Sequence, residues 1–118
     1  MSPDRPVFLD LARIRFPVGA VASIGHRISG VLLVLVLPFA VWFLQLSLTS
    51  DSISIKTGGF LFRLAALLLA WAAAHHLFAG VRHLLMDVGI GASLAAGRAS
   101  AYAVLIAAAA VGLAAFFL

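Results

Sequence analysis

The stretch from Gly30 to Leu48 carries no charged side chain, and about 20 apolar residues are what a helix needs to cross the hydrocarbon core of a bilayer. Two further apolar stretches follow, from about Phe60 to Met86, which includes Arg63 and Arg82, and from Ala101 to Leu118, which carries no charge. In lipid the backbone N–H and C=O groups can bond only to each other, so helices and closed barrels are the viable spanning structures. These runs do not alternate polar and apolar residues as barrel strands do. The expectation is an all-α membrane protein with three transmembrane helices, at about 17–48, 60–86 and 101–118. A short cytoplasmic N-terminal segment, 1–16, precedes them, and the whole of 1–118 forms a single domain.

Composition supports lipid as the solvent. Hydrophobic residues make up 64% and charged residues 10%, against about 25% charged in a soluble globule. With no cysteine, disulfides, iron–sulfur clusters and thiolate metal sites are excluded from this chain. Its four histidines are the remaining strong ligands for a redox cofactor. A net charge of +4 fits a basic membrane rim better than a nucleic-acid partner. No cleavable leader is expected, because the first long apolar run begins near Gly30 behind a segment rich in arginine and proline.

The first helix should start near Pro17, since proline suits a first helical turn, and Pro38 is placed to kink it. Gly58-Gly59 breaks the chain before the second span, and a polar stretch from Asp87 to Ser100 leads into the third. Arg5, Arg13, Arg15, Arg27, Arg82 and Arg98 lie on one side of the membrane, Lys56 and Arg63 on the other. Six basic residues of eight predict a cytoplasmic N-terminus and a C-terminus on the far side of a bacterial inner membrane.

The second span is the unusual one, because it contains His75, His76, Arg82 and His83. Ala72, Ala79, Gly80, His83 and Asp87 share a helical face with His76. An imidazole beside small residues offers a ligand nitrogen with nothing to block a flat macrocycle, and neutral imidazole is the usual axial ligand of b-type haem iron. Small residues equally serve close helix packing, and a histidine in a span equally bridges helices. An ionisable residue there still marks a functional hypothesis. His76 and His83 are two turns apart, about 10 Å along the axis, so they cannot ligate one iron from opposite sides. Arg82 and Asp87 serve either as interfacial anchors or as partners of a cofactor. In the first helix, Ser23, His26, Arg27 and Gly30 share a face. They form a donor-rich corner suited to a quinone headgroup or a propionate, although Arg27 alone reads as a snorkelling topology signal.

The two constellations together resemble a known pair. Ser23-Ile24-Gly25-His26-Arg27-Ile28-Ser29-Gly30 resembles the S-x-x-H-R-x-[ST]-G signature of the succinate dehydrogenase cytochrome b subunit. His76-Leu77-Phe78-Ala79-Gly80-Val81-Arg82-His83-Leu84-Leu85-Met86-Asp87 is similar to that family's H-x-x-x-G-x-R-H-L-x-x-D pattern. Arg5-Pro6-Val7-Phe8-Leu9-Asp10 and Ile14-Arg15-Phe16-Pro17 look like its N-terminus. The likeness runs in order from residue 5 to about 90, whereas the third span matches only in length and polarity.

The resemblance implies a large membrane-anchor subunit of succinate:quinone oxidoreductase (complex II), one part of a heteromeric bundle. Its partners would be a flavoprotein, an iron–sulfur subunit and a second small anchor, with FAD and the clusters confined to the partners. By position, it implies that His76 is one axial ligand of the haem b iron, the other coming from the second anchor. It places Ser23 and Arg27 at the ubiquinone site, His26 and Arg27 near a propionate, and His83 near the haem. The adjacent His75 competes for the ligand role, but it points about 100° away from His76. On this reading the chain belongs to electron transport and the tricarboxylic acid cycle without itself being an enzyme. The alternatives are a quinol:fumarate reductase anchor and a haem-free membrane scaffold.

Overall fold

The computed structural model describes residues 14–49 and 59–117. The Arg5–Asp10 opening, Arg13, Lys56 and most of the first loop lie outside the described residues. Three helices follow one another, α1 (Val18–Thr49), α2 (Phe60–Asp87) and α3 (Leu94–Phe117). All three are long and apolar enough to cross a membrane.

Their ends follow local rules. The carbonyl of Pro17 accepts from Ala20 N at 2.9 Å and Val21 N at 3.2 Å, so the proline stands just before the first turn, where its missing N–H costs nothing. Pro38 lies inside α1 without interrupting it. The Gly59 carbonyl receives Phe62 N and Arg63 N at the start of α2. At the end of α2 the chain reverses through Gly89 and Gly91, with φ of 83° and 71°. This left-handed backbone suits glycine, and Ile90 N closes the turn on Leu85 O at 2.8 Å.

The third helix begins at Leu94, earlier than the expected start at Ala101. The sequence Ser93-Leu94-Ala95-Ala96-Gly97-Arg98-Ala99-Ser100 is polar enough to resemble a loop, but Ser93 Oγ accepts from Ala96 N at 3.3 Å and starts the helix as a cap. Gly97, Arg98 and Ser100 are therefore helical, and the true connection is the glycine turn alone.

The interior is built from small side chains. Ala72, Ala79, Ala101, Ala108 and Ala22 are almost fully buried, which is how helices approach closely without a hydrophobic driving force between them. At Gly112 of α3 a Cβ would lie 2.9 Å from Trp71 Cβ, so glycine sets the approach of α3 to α2 there. Most apolar side chains from Val31 to Trp42 of α1 remain exposed, a surface that needs lipid or a partner helix.

Candidate functional site

On α2 the sequence pattern that groups small residues with His76 resolves into two neighbouring stripes. Ala72, His75, Ala79 and Arg82 recur at i, i+3, i+7 and i+10 and are buried in the bundle. His76, Gly80 and His83 occupy the adjacent face and are half-buried, while Asp87 is exposed. Ala72 and Ala79 thus serve helix packing and do not clear space beside a ligand nitrogen.

The two adjacent histidines both reach across to α1. His75 is fully buried, and its Nε2 lies 3.2 Å from Ala22 O. A carbonyl only accepts, so Nε2 carries the proton; Nδ1 is then a buried acceptor without a partner. The ring is stacked on Trp71, with centroids 5.5 Å apart. Gly25 makes the contact possible, since a Cβ there would lie 2.6 Å from Nε2.

One turn further along α1, His76 Nδ1 lies 3.1 Å from His26 O. By the same logic Nδ1 donates, which leaves Nε2 as the lone-pair nitrogen. The same carbonyl also accepts from the buried Ser29 hydroxyl at 2.9 Å. Gly30 supplies the space for His76, because a Cβ there would lie 2.9 Å from its Cε1. The His26 ring stacks on the His76 ring at 4.2 Å and 17°, and its centroid is 5.3 Å from that of His83. Gly80 lies against His26, and a Cβ there would be in ordinary contact with its Nε2 at 3.4 Å. Rings stacked nearly parallel offer each other their faces, so the nitrogens of His26 and His76 do not converge on one point between them.

His26, Arg27, Gly30, Val31, Val34, Leu35 and His76 line a hollow of about 470 Å³. It brings together three of the expected site residues with aliphatic side chains, and the surface it presents is almost wholly apolar. Ser23 is half-buried one turn back along α1 and does not line this hollow, whereas Arg27 is exposed. An imidazole whose Nδ1–H is fixed on a backbone carbonyl is oriented and tautomerically set to ligate iron through Nε2. That donor chemistry is of the kind that would fit a haem iron at His76 Nε2.

Arg82, counted in the sequence among the basic residues of the rim, instead lies inside the bundle. Its Nε donates to Ser100 Oγ and its Nη2 to Gly97 O, both at 3.0 Å. It ties α2 to α3, and its hydrogen bonds go there and not to His26, His76 or His83. Neither Ser29 nor the glycine–histidine pairs stood out as site features in the sequence. Gly25, Ser29 and Gly30 lie within the first motif, but spacing does not disclose which ring each one accommodates.

Helices, half-open imidazole cluster and apolar exterior define a multi-pass membrane protein with a site at an interhelical edge. The chain matches the family model described as succinate dehydrogenase/fumarate reductase transmembrane subunit over residues 1–115. It is similar to the succinate dehydrogenase cytochrome b556 subunit of Coxiella burnetii, 40% identical over 113 residues covering 90% of this chain and 89% of that protein. It is similar to the cytochrome b556 subunit of Paracoccus denitrificans, 31% identical, covering 86% of this chain and 82% of that protein. The cytochrome b560 subunit of Reclinomonas americana is 34% identical, with coverage of 75% and 68%. The chain belongs to the succinate dehydrogenase/fumarate reductase transmembrane subunit family.

Proposed function

We propose that this chain is the haem-binding membrane anchor of a succinate:quinone oxidoreductase, with its N-terminus cytoplasmic in a bacterial inner membrane. The observation that carries the reading is His76, whose Nδ1 is held on His26 O beside an open hollow that it shares with His26 and Arg27. His76 would hold the iron of haem b through Nε2. A further ligand would come from another small anchor subunit, since the His26 ring is stacked on that of His76. His26, His83 and Arg27 would donate to its propionates through imidazole N–H and guanidinium groups. When bound, the haem supplies a one-electron reservoir within the membrane.

Ser23 and Arg27 contribute to the ubiquinone site. A hydroxyl and a guanidinium donate hydrogen bonds to the quinone carbonyl oxygens, and these bonds strengthen as the oxygens gain negative charge on reduction. Exposed Arg27 is free to turn toward a headgroup arriving from lipid. A flavoprotein partner oxidises succinate, and an iron–sulfur partner passes the electrons to the quinone. This chain docks those subunits and shapes the pocket.

The test is activity of the intact assembly with two acceptors. Ser23→Ala or Arg27→Leu should reduce succinate:ubiquinone activity by about 10- to 100-fold, the range for loss of a positioned donor, while succinate oxidation by an artificial dye persists. Equal loss of both activities in a fully assembled complex would remove Ser23 and Arg27 from the quinone site.

A further inference from the structure

At the membrane edge where α1 begins, α2 ends and α3 begins, a second hollow of about 220 Å³ is lined by Pro17, Arg82, Met86, Leu94, Gly97 and Arg98, among others. Arg82 is only 8% exposed. Both of its hydrogen bonds go to neutral acceptors, Ser100 Oγ and Gly97 O. Its Nη2 sits between two glycines, 3.7 Å from the position of a Cβ on Gly19 and 4.0 Å from one on Gly97. A buried guanidinium without a counter-charge is costly. Asp87, the single acidic residue among the described ones, is exposed and does not pair with it. From Val88 to the C-terminus there is no Asp or Glu. A second cation, the exposed Arg98, stands at the lip of the same hollow.

We propose that this hollow binds the phosphate of an anionic phospholipid, held between Arg82 and Arg98. Two guanidiniums match a phosphodiester through forked, charge-assisted hydrogen bonds. The position, at the ends of three spanning helices, is the level at which headgroups lie. Pro17, Met86 and Leu94 supply an apolar rim for the glycerol ester region. The phosphate provides the counter-charge that Arg82 lacks within the described residues and so draws the ends of the three helices together. The site is separate from the His26–His76 cluster and does not depend on haem or quinone binding.

The test uses the intact membrane-extracted assembly, delipidated and titrated with phosphatidylglycerol, with bound lipid counted by native mass spectrometry. One phosphatidylglycerol should be retained, and Arg98→Gln should weaken its retention about fivefold, the equivalent of ~1 kcal/mol for one basic residue at an anionic surface. Arg82→Gln should weaken it further where the assembly survives. Arg15→Gln, an exposed residue on the same rim but outside the hollow, should leave retention unchanged. Equal retention in Arg98→Gln and the parent, or an equal loss in Arg15→Gln, would overturn the site. Displacement of the lipid by millimolar inorganic phosphate would overturn the lipid as its source. Absence of any retained lipid from the parent assembly would instead assign the counter-charge to a protein carboxylate, Asp4 and Asp10 of this chain included, and refute the proposal.

Discussion

His75 and His76 are the same residue type one position apart, yet the bundle gives them opposite environments. His75 faces inward, is fully buried, donates through Nε2 to Ala22 O and stacks on Trp71. His76 lies on the adjacent face, donates through Nδ1 to His26 O and borders an open hollow. Each ring is admitted by a glycine of α1, Gly25 for His75 and Gly30 for His76. The pair shows that adjacent imidazoles of one membrane helix can both bridge to the next helix while only one of them borders an opening. The difference arises from a rotation of about 100° between consecutive residues and from which nitrogen each carbonyl engages.

The sharpest way to break this contrast is to remove each ring in turn. His76→Ala should abolish the b-type bands in a reduced-minus-oxidised absorption spectrum of the purified assembly. His75→Ala should preserve those bands and lower stability by about 2 to 5 kcal/mol, the range for emptying a buried site of this size, read from thermal unfolding. Haem loss in His75→Ala with retention in His76→Ala would reverse the assignment.

A finer test acts on the glycines. Gly30→Ala places a Cβ 2.9 Å from His76 Cε1, so the ring must shift. Haem affinity should then fall by about 10- to 100-fold, the usual effect of disturbing what orients a metal ligand. Gly25→Ala places a Cβ 2.6 Å from His75 Nε2 and should reduce stability while leaving the haem spectrum in place. Identical spectra and affinities for both variants would show that the two glycines do not divide their labour in this way.

The smallest expected effect concerns the shared carbonyl. Ser29 is buried and donates to His26 O at 2.9 Å, the same oxygen that orients His76. Ser29→Ala removes one of two donors and should cost about 1 kcal/mol, with a small shift of the haem midpoint potential. A stability loss with no change in potential would limit Ser29 to holding the helix.

Three helices were legible in the primary structure because predominantly apolar runs of spanning length, not alternating as barrel strands do, have one solution in lipid. The ends of α1 and α2 were also readable, from Pro17 and Gly59. The start of α3 was not, because Gly97, Arg98 and Ser100 look like loop residues until Arg82 bonds to Gly97 O and Ser100 Oγ. Motif spacing already singled out His26, Arg27, His76 and His83 as site candidates, and the fold groups His76 with His26 and Arg27 around one hollow. Spacing also grouped Ala72 and Ala79 with His76, and there it misled. A helix face of about 100° width is broader than a contact stripe, so periodicity cannot separate residues that pack from residues that line an opening.

By itself, then, the order of residues determined the solvent, the number of spans and the residue types available for chemistry. These follow from hydrophobicity and helical geometry, which are local. Tertiary structure decided which imidazole is sealed and which stays open, and that Arg82 is buried and bonded to α3. Those outcomes depend on where a glycine of one helix meets a ring of another and where a guanidinium meets a carbonyl and a hydroxyl, and such meetings exist only once the helices have packed.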